Sequence, residues 1–180
     1  MGESHRLISV ITRDVGFVRA VARNVRSEHS KLRFCLQDFS RVHVSLVRGR
    51  QVWRITGAIE QYNVYHLFSC DYEKIVLLTR IRSLLSRLLH GEEKNEYLFN
   101  VTAALFDAFK DNKLSVTALK AVELITVLRI LNSLGYLAHD AQFSVYVSDV
   151  GLDEALLKSV SSIRPQAVGA INRALTASHL

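Results

Sequence analysis

Apolar residues in this chain change their spacing once. Up to about Glu60 they recur at every second position, as in Val42, Val44 and Leu46, which suits strands whose side chains alternate between two faces. From Asp71 they recur at about every 3.6 residues, as in Ile75, Leu78, Ile81, Leu85 and Leu88, which suits helices with one apolar stripe. One element type cannot carry both periods. The switch therefore divides the chain into a strand-rich module over residues 1–60, a connector over 61–70 and a helical domain over 71–180, and the expected class is α+β.

Within the first module, residues 7–12 and 17–25 read as a hairpin about the turn Asp14-Val15-Gly16. A mixed stretch follows at 32–39, then a third strand through Val42, Val44 and Leu46. A fourth strand over 52–59 is expected to put Trp53, Ile55 and Ile59 on one side and Arg54 and Thr56 on the other.

In the helical domain, Asp71 is placed to cap a helix that stops at His90-Gly91. A second helix, over about 95–110, buries Leu98, Val101, Leu105 and Phe109. A third, over about 116–134, is capped by Ser115, stopped by Gly135, and apolar on more than one face, so it should be central. Residues 142–147 alternate and suggest an extended segment. Two short helices, over about 152–161 and 166–177, are expected on either side of Pro165, the only proline.

Composition narrows the class further. With 49% apolar residues the chain has material for a buried core, yet no unbroken apolar run approaches the eighteen or so residues of a membrane span. No secretory signal is legible at the N-terminus, so a cytoplasmic protein is expected. Cys35 and Cys70 are too far apart for a redox or zinc pair and read as reduced, buried thiols. His66 with Cys70 is the nearest approach to a ligand pair, and two ligands do not make a structural zinc site. No metal and no cofactor are expected. Phosphate-loop, dinucleotide and nucleophile-elbow motifs are missing, and the carboxylates do not cluster, so no catalytic residue is assigned. Glu123, within an apolar helical stretch, needs a partner, for which Arg129 or a helix N-terminus is available.

Charge is the functional signal. The whole net charge of +6 belongs to residues 1–60, which hold eleven Lys and Arg against five Asp and Glu; the remaining 120 residues balance at twelve each. Ten of the eleven bases are arginine. A guanidinium binds phosphate through two parallel hydrogen bonds and stacks on bases, which an ammonium cannot do, so the excess points to nucleic acid. Arg19 and Arg23, an even number of positions apart in a strand, are expected to share a face beside the loop residues Arg26, Lys31 and Arg33. Arg48 and Arg50 flank Gly49 in a hairpin loop near Trp53. Trp53, Phe17 and Phe34 are each either stacking platforms or core, with core favoured for Trp53. The bland alternative is a solvated strand face whose arginines pair with Glu28, Asp38 or the helices of the second domain.

Several runs resemble a known family. Thr12-Arg-Asp-Val-Gly-Phe-Val-Arg-Ala-Val-Ala-Arg23, Ser30-Lys-Leu-Arg33, Leu36-Gln-Asp-Phe-Ser40 and Leu46-Val-Arg-Gly49 look like the N-terminal barrel of the bacterial recombination mediator RecO, in the same order and spacing. Leu128-Arg-Ile-Leu-Asn-Ser-Leu-Gly-Tyr136 is similar to that family's central helix, and Ile171-Asn-Arg-Ala-Leu175 with His179-Leu180 to its last one.

The resemblance implies an N-terminal OB-like β-barrel with its first strand apparently missing, an α-helical domain, and a non-catalytic role in recombinational DNA repair. It implies binding of single- and double-stranded DNA, strand annealing and recombinase loading, with RecR and single-strand-binding protein as partners. The positive positions of the family's barrel match Arg19, Arg23, Arg26, Lys31 and Arg33.

Three departures go with it. The family has a strand before the position of Gly2-Glu-Ser4, so either the true start lies upstream, or the barrel edge is open, or residues 142–147 fill the gap. Residues 137–150 contain no cysteine where many members bind zinc. Asn24 replaces a usual glycine, which asparagine tolerates because it visits left-handed backbone conformations. The competing readings are an OB-like RNA-binding protein and an adaptor whose helical domain docks an acidic peptide.

Overall fold

The computed structural model describes residues 5–28, 30–50, 52–67, 71–111 and 114–178. Strand β1 (Arg6–Thr12) is rich in branched side chains and pairs antiparallel with β2 (Gly16–Ala22). One hydroxyl organises the turn between them: Thr12 Oγ1 donates to the Gly16 carbonyl at 3.0 Å and accepts from the Val15 amide at 3.1 Å. Gly16 is fixed by sterics, because its φ of +80° disfavours a side chain and a Cβ there would lie 1.9 Å from the Glu93 carbonyl oxygen.

The chain then passes through a series of turns and a short helix, α1 (Leu32–Cys35), to β3 (Ser40–Arg48) and β4 (Trp53–Asn63), an antiparallel pair. β4 also runs parallel to β2 through the pairs Ala20/Trp53, Val21/Arg54 and Ala22/Ile55. One face of the sheet carries the core: Ala20, Ala22 and Ile55 are buried there with Val25 and Leu36, and Ile8, Val10, Leu32, Val44, Leu46, Trp53 and Ala58 pack against them. Small Ala20 beside large Trp53 lets the indole lie over the sheet without a clash.

The described strands make an open mixed sheet in the order β1-β2-β4-β3, not the closed OB-like barrel expected from the sequence. Closure requires the outer strands to hydrogen-bond to each other or through a further strand, and among the described residues β1 pairs only with β2, and β3 only with β4. Alternation along a strand is common to open sheets and barrels, so the period alone cannot distinguish them. The strand expected ahead of Gly2-Glu-Ser4 lies outside the described residues. Residues 142–147, the other candidate to fill the gap, are helical: a single 3₁₀ turn (Ala141–Phe143) leads into α6 (Ser144–Val147), burying Phe143 and Tyr146.

Alternation also misplaces Ile59. A β-bulge between the pairs Ser45/Gly57 and Leu46/Ile55 leaves Thr56 unmatched, which resets the alternation along β4. Ile55 is 4% exposed, whereas Ile59 is 71% exposed and faces away from the core.

β4 is followed by α2 (Val64–Leu67), whose first residue is tied back by a bond from the Val64 amide to the Phe39 carbonyl, and Phe39 itself is held at a φ of +62°. The helices of the second part begin with α3 (Tyr72–Leu88), capped by Asp71, whose side chain accepts from the Lys74 amide. α4 (Glu96–Asp111) starts at Asn95, which accepts from the Leu98 amide at 2.8 Å and donates to Ser133 Oγ at 2.7 Å. α5 (Val116–Ser133), capped by Ser115, is the central helix: Val122, Ile125, Leu128, Ile130 and Leu131 are fully buried, and it packs against α3, α4, α6 and α7 (Glu154–Ala177). α7 is one continuous helix with Pro165 inside it, not two. The Ser161 carbonyl that Pro165 cannot bond lies on an exposed stretch, where the lost bond leaves no acceptor buried.

Contacts divide the chain into two compact units, Met1–Cys70 with His90–Lys94, and Asp71–Leu89 with Asn95–Leu180. Glu123 is half-buried and pairs with Arg80 at 3.3 Å, not with Arg129. Arg129 is 1% exposed and donates instead to three backbone carbonyls, those of Tyr146, Val150 and Gly151. Cys35 is half-buried, and Cys70 lies outside the described residues.

Candidate nucleic-acid interface

The arginines of the first unit fall into two groups. Some are engaged. Arg6 forms an ion pair with Asp38 at 2.8 Å, Arg41 donates to the Tyr62 hydroxyl at 3.1 Å, and Arg48 lies 3.5 Å from a Glu92 carboxylate oxygen with its guanidinium 5.6 Å from the centre of the Trp53 ring. The others reach solvent: Arg19, Arg23, Lys31, Arg33, Arg50 and Arg54 are all exposed, and among the described residues none of them takes part in an ion pair. Arg26 is also exposed and keeps an interaction of its own. Asp38, one of the two carboxylates available to neutralise the strand face, is occupied by Arg6.

Arg19 projects from the face of β2 opposite the core, since Val18 and Ala20 on either side of it are buried. Arg23 does not continue that row. β2 ends at Ala22, and Arg23 and Arg26 belong to the turns that follow, where Asn24 adopts a φ of +53°. The left-handed residue breaks the strand, so the even spacing of Arg19 and Arg23 sets no common face. The turns are held by backbone bonds from Ser27 to Asn24, from Ser30 to Ser27 and from Arg33 to Ser30, each 3.1 Å long. They bring the chain to Lys31 and to α1, which carries Arg33.

The residue that shares a face with Arg19 is Arg54. It sits opposite Val21 in the parallel pairing of β4 with β2, so it is a diagonal neighbour of Arg19, about 8 Å away along the sheet surface. Alternation alone put Arg54 on the polar side of its strand; what was missing was the parallel register, which nothing local in the sequence encodes. At the β3–β4 turn an open depression of about 570 Å³ is lined by Arg48, Gly49, Arg50, Val52 and Arg54. Gly49 makes the tight turn possible, because a Cβ there would lie 2.7 Å from the Val52 carbonyl oxygen.

The three aromatic candidates separate. Trp53 packs against the core with Arg48 over its ring, and Phe17 is half-buried. Phe34, next to Arg33 on α1, is 70% exposed. His66 is exposed, and its suggested partner Cys70 is outside the described residues. No helix among the described residues is long and apolar enough to cross a membrane.

Comparison with known proteins places both parts of the chain in one group. Residues 1–62 match the family model described as "Recombination protein O N terminal" and residues 70–139 the one described as "Recombination protein O C terminal". A protein of Roseiflexus sp. (strain RS-1) called "DNA repair protein RecO" is 27% identical over 135 residues, covering 75% of this chain and 46% of the relative. Another of that name, from Nocardioides sp. (strain ATCC BAA-499 / JS614), is 31% identical over 94 residues, covering 52% of this chain and 38% of the relative. The matched stretch thus spans less than half the length of either relative.

Proposed function

The chain belongs to the RecO family, and from that premise we propose that it is a non-catalytic DNA-binding protein of recombinational repair, which captures DNA backbones on the arginine-bearing side of its sheet and helps complementary strands to pair. The observation that carries this reading is the adjacency of Arg19 and Arg54 on the sheet face turned away from the core, with Arg50 at the neighbouring turn and no carboxylate engaging any of the three among the described residues. Guanidinium groups on a shallow surface neutralise phosphates without reading base edges, which suits a protein that must act on any sequence. Arg23, Arg26, Lys31, Arg33 and Arg48 extend the positive surface. Phe34 beside Arg33 offers a face on which an unpaired base stacks.

Screening by these cations lowers the repulsion between two strands brought to the same protein, and annealing needs no reacting group. RecR and single-strand-binding protein are the partners the family resemblance implies, with recombinase loading as the outcome.

The test is salt-dependent binding of a single-stranded oligonucleotide. Replacing Arg19 and Arg54 together by alanine should lower affinity alike for all sequences and flatten the plot of log affinity against log salt by about 1.4, or about 0.7 per lost phosphate contact. An unchanged slope in the double variant overturns the reading.

A further inference from the structure

The helical part has no net charge across its length, yet one of its helices carries three arginines around its exposed side. α3 buries Lys74, Leu77, Leu78, Ile81, Leu85 and Leu88 on one side. At 100° per residue the opposite side carries Tyr72, Thr79, Ser83 and Ser86 in a row, with Arg82 along one border and Arg80 and Arg87 along the other, where Glu73 begins the row. All of these residues are exposed, Tyr72 to 78%. Thr79 returns its hydroxyl to the Ile75 carbonyl, while Ser83 and Ser86 have no hydrogen-bond partner among the described residues. From Thr79 to Leu88 the helix has three arginines and no carboxylate.

Helix stability accounts for part of this pattern only. Arg87 lies in the last turn, where a cation offsets the negative end of the helix dipole, and Arg80 is held by Glu123 at 3.3 Å. Neither argument covers Arg82, the hydroxyl row or a tyrosine left in water at the other end of the same face. An acidic peptide would use the arginines but has no need of an aromatic plane. A single-stranded nucleic acid uses every component: arginines and hydroxyls hold the phosphates, and the exposed ring takes a base. Arg80 to Arg87 spans about 10 Å of helix, the length of two or three successive phosphates.

The geometry points to a second single-strand nucleic-acid surface on α3, formed by Tyr72, Arg82, Ser83, Ser86 and Arg87, separate from the sheet face of the first unit. This rests on the DNA-binding reading only for its consequence: a chain with two such surfaces holds two strands at once.

Photocrosslinking the full chain to a short oligonucleotide bearing 5-iodouracil, with the adducts located by mass spectrometry, tests it. An adduct at Tyr72 is expected, and the variant Arg82→Glu with Arg87→Glu should reduce its yield at least fivefold. Ser83→Asp, which adds a negative charge without removing an arginine, should act in the same direction. The absence of a Tyr72 adduct, or a yield unaffected by these variants, overturns the inference. So does displacement of the oligonucleotide from Tyr72 by polyglutamate at equal charge concentration, which would mark a site for acidic peptides. The variant Arg19→Glu with Arg54→Glu separates the two surfaces: if the sheet-face reading alone is wrong, that variant leaves total binding intact, while the α3 variants still reduce the Tyr72 adduct at least fivefold.

Discussion

Arg129 donates through Nε to the carbonyl oxygen of Tyr146 at 2.7 Å, in the buried interior of the helical unit. The same guanidinium reaches Val150 at 2.8 Å and Gly151 at 2.7 Å, so one side chain from the central helix satisfies three carbonyls, one in α6 and two in the stretch that leads from it to α7. Burial pushes the Arg129 pKa down, and Asp149 and Asp153 act against that shift. The charge is kept because three acceptors replace its water.

Arg129→Met is therefore expected to destabilise the protein by about 3–5 kcal/mol, since it leaves the buried Tyr146 carbonyl and two part-buried carbonyls without their donor. Arg129→Lys should recover only part of the loss, because an ammonium lacks the planar fork that reaches all three oxygens. Chemical denaturation of the two variants beside the parent checks this, and equal stability of the methionine variant would contradict it.

Tyr97 donates its hydroxyl to the Val147 carbonyl in the same segment, and burial raises its pKa above the ordinary value of 10.0. The folded state holds that proton more tightly than the unfolded chain does. The contribution is thus complete below pH 10 and is lost as pH rises through the folded-state pKa. Tyr97→Phe should cost about 1 kcal/mol near neutral pH and make the alkaline decline in stability shallower. Melting curves of both proteins between pH 8 and about pH 11 provide the comparison, and parallel declines would count against the assignment.

Ile55 and Ile59 test the bulge in β4. Ile55→Ala, in the core of the sheet, is expected to cost about 2–4 kcal/mol, whereas Ile59→Thr should change stability by less than about 0.5 kcal/mol. Similar losses at the two positions would mean that they share a face.

Those two isoleucines mark where the sequence stops being legible. The helix caps at Asp71 and Ser115 were readable, as were the buried positions of α4 and the central place of α5, because caps and apolar stripes are local signals. The bulge at Thr56 and the parallel pairing of β2 with β4 are settled by contacts between distant residues, whereas the left-handed backbone at Asn24, a local feature, agrees with the asparagine standing for a usual glycine. The same limit applied to the candidate interface. Exposure of the seven proposed cations agrees with their composition, but the adjacency of Arg19 and Arg54 appears only once the strands are in register. Pro165 misled in the opposite way: its helix-breaking tendency is real, and α7 absorbs it on an exposed face.

Phe34 separates single-stranded from duplex binding. If an unpaired base stacks on it, Phe34→Ala should weaken single-strand affinity by about 1–3 kcal/mol, or roughly five- to 150-fold, and leave duplex affinity within about twofold. Equal losses for both ligands, measured by fluorescence anisotropy at one salt concentration, would assign Phe34 to packing instead.

The ladder that joins β2 to β4 has three residue pairs, Ala20/Trp53, Val21/Arg54 and Ala22/Ile55, between two hairpins that are each far longer. Each hairpin closes over a short loop and can assemble early, whereas this seam must wait until the intervening thirty or so residues have been laid down. The sheet is accordingly two quickly formed halves stitched late and thinly. Its weakest amide protection against solvent exchange should run along that stitch, directly beneath Arg19 and Arg54.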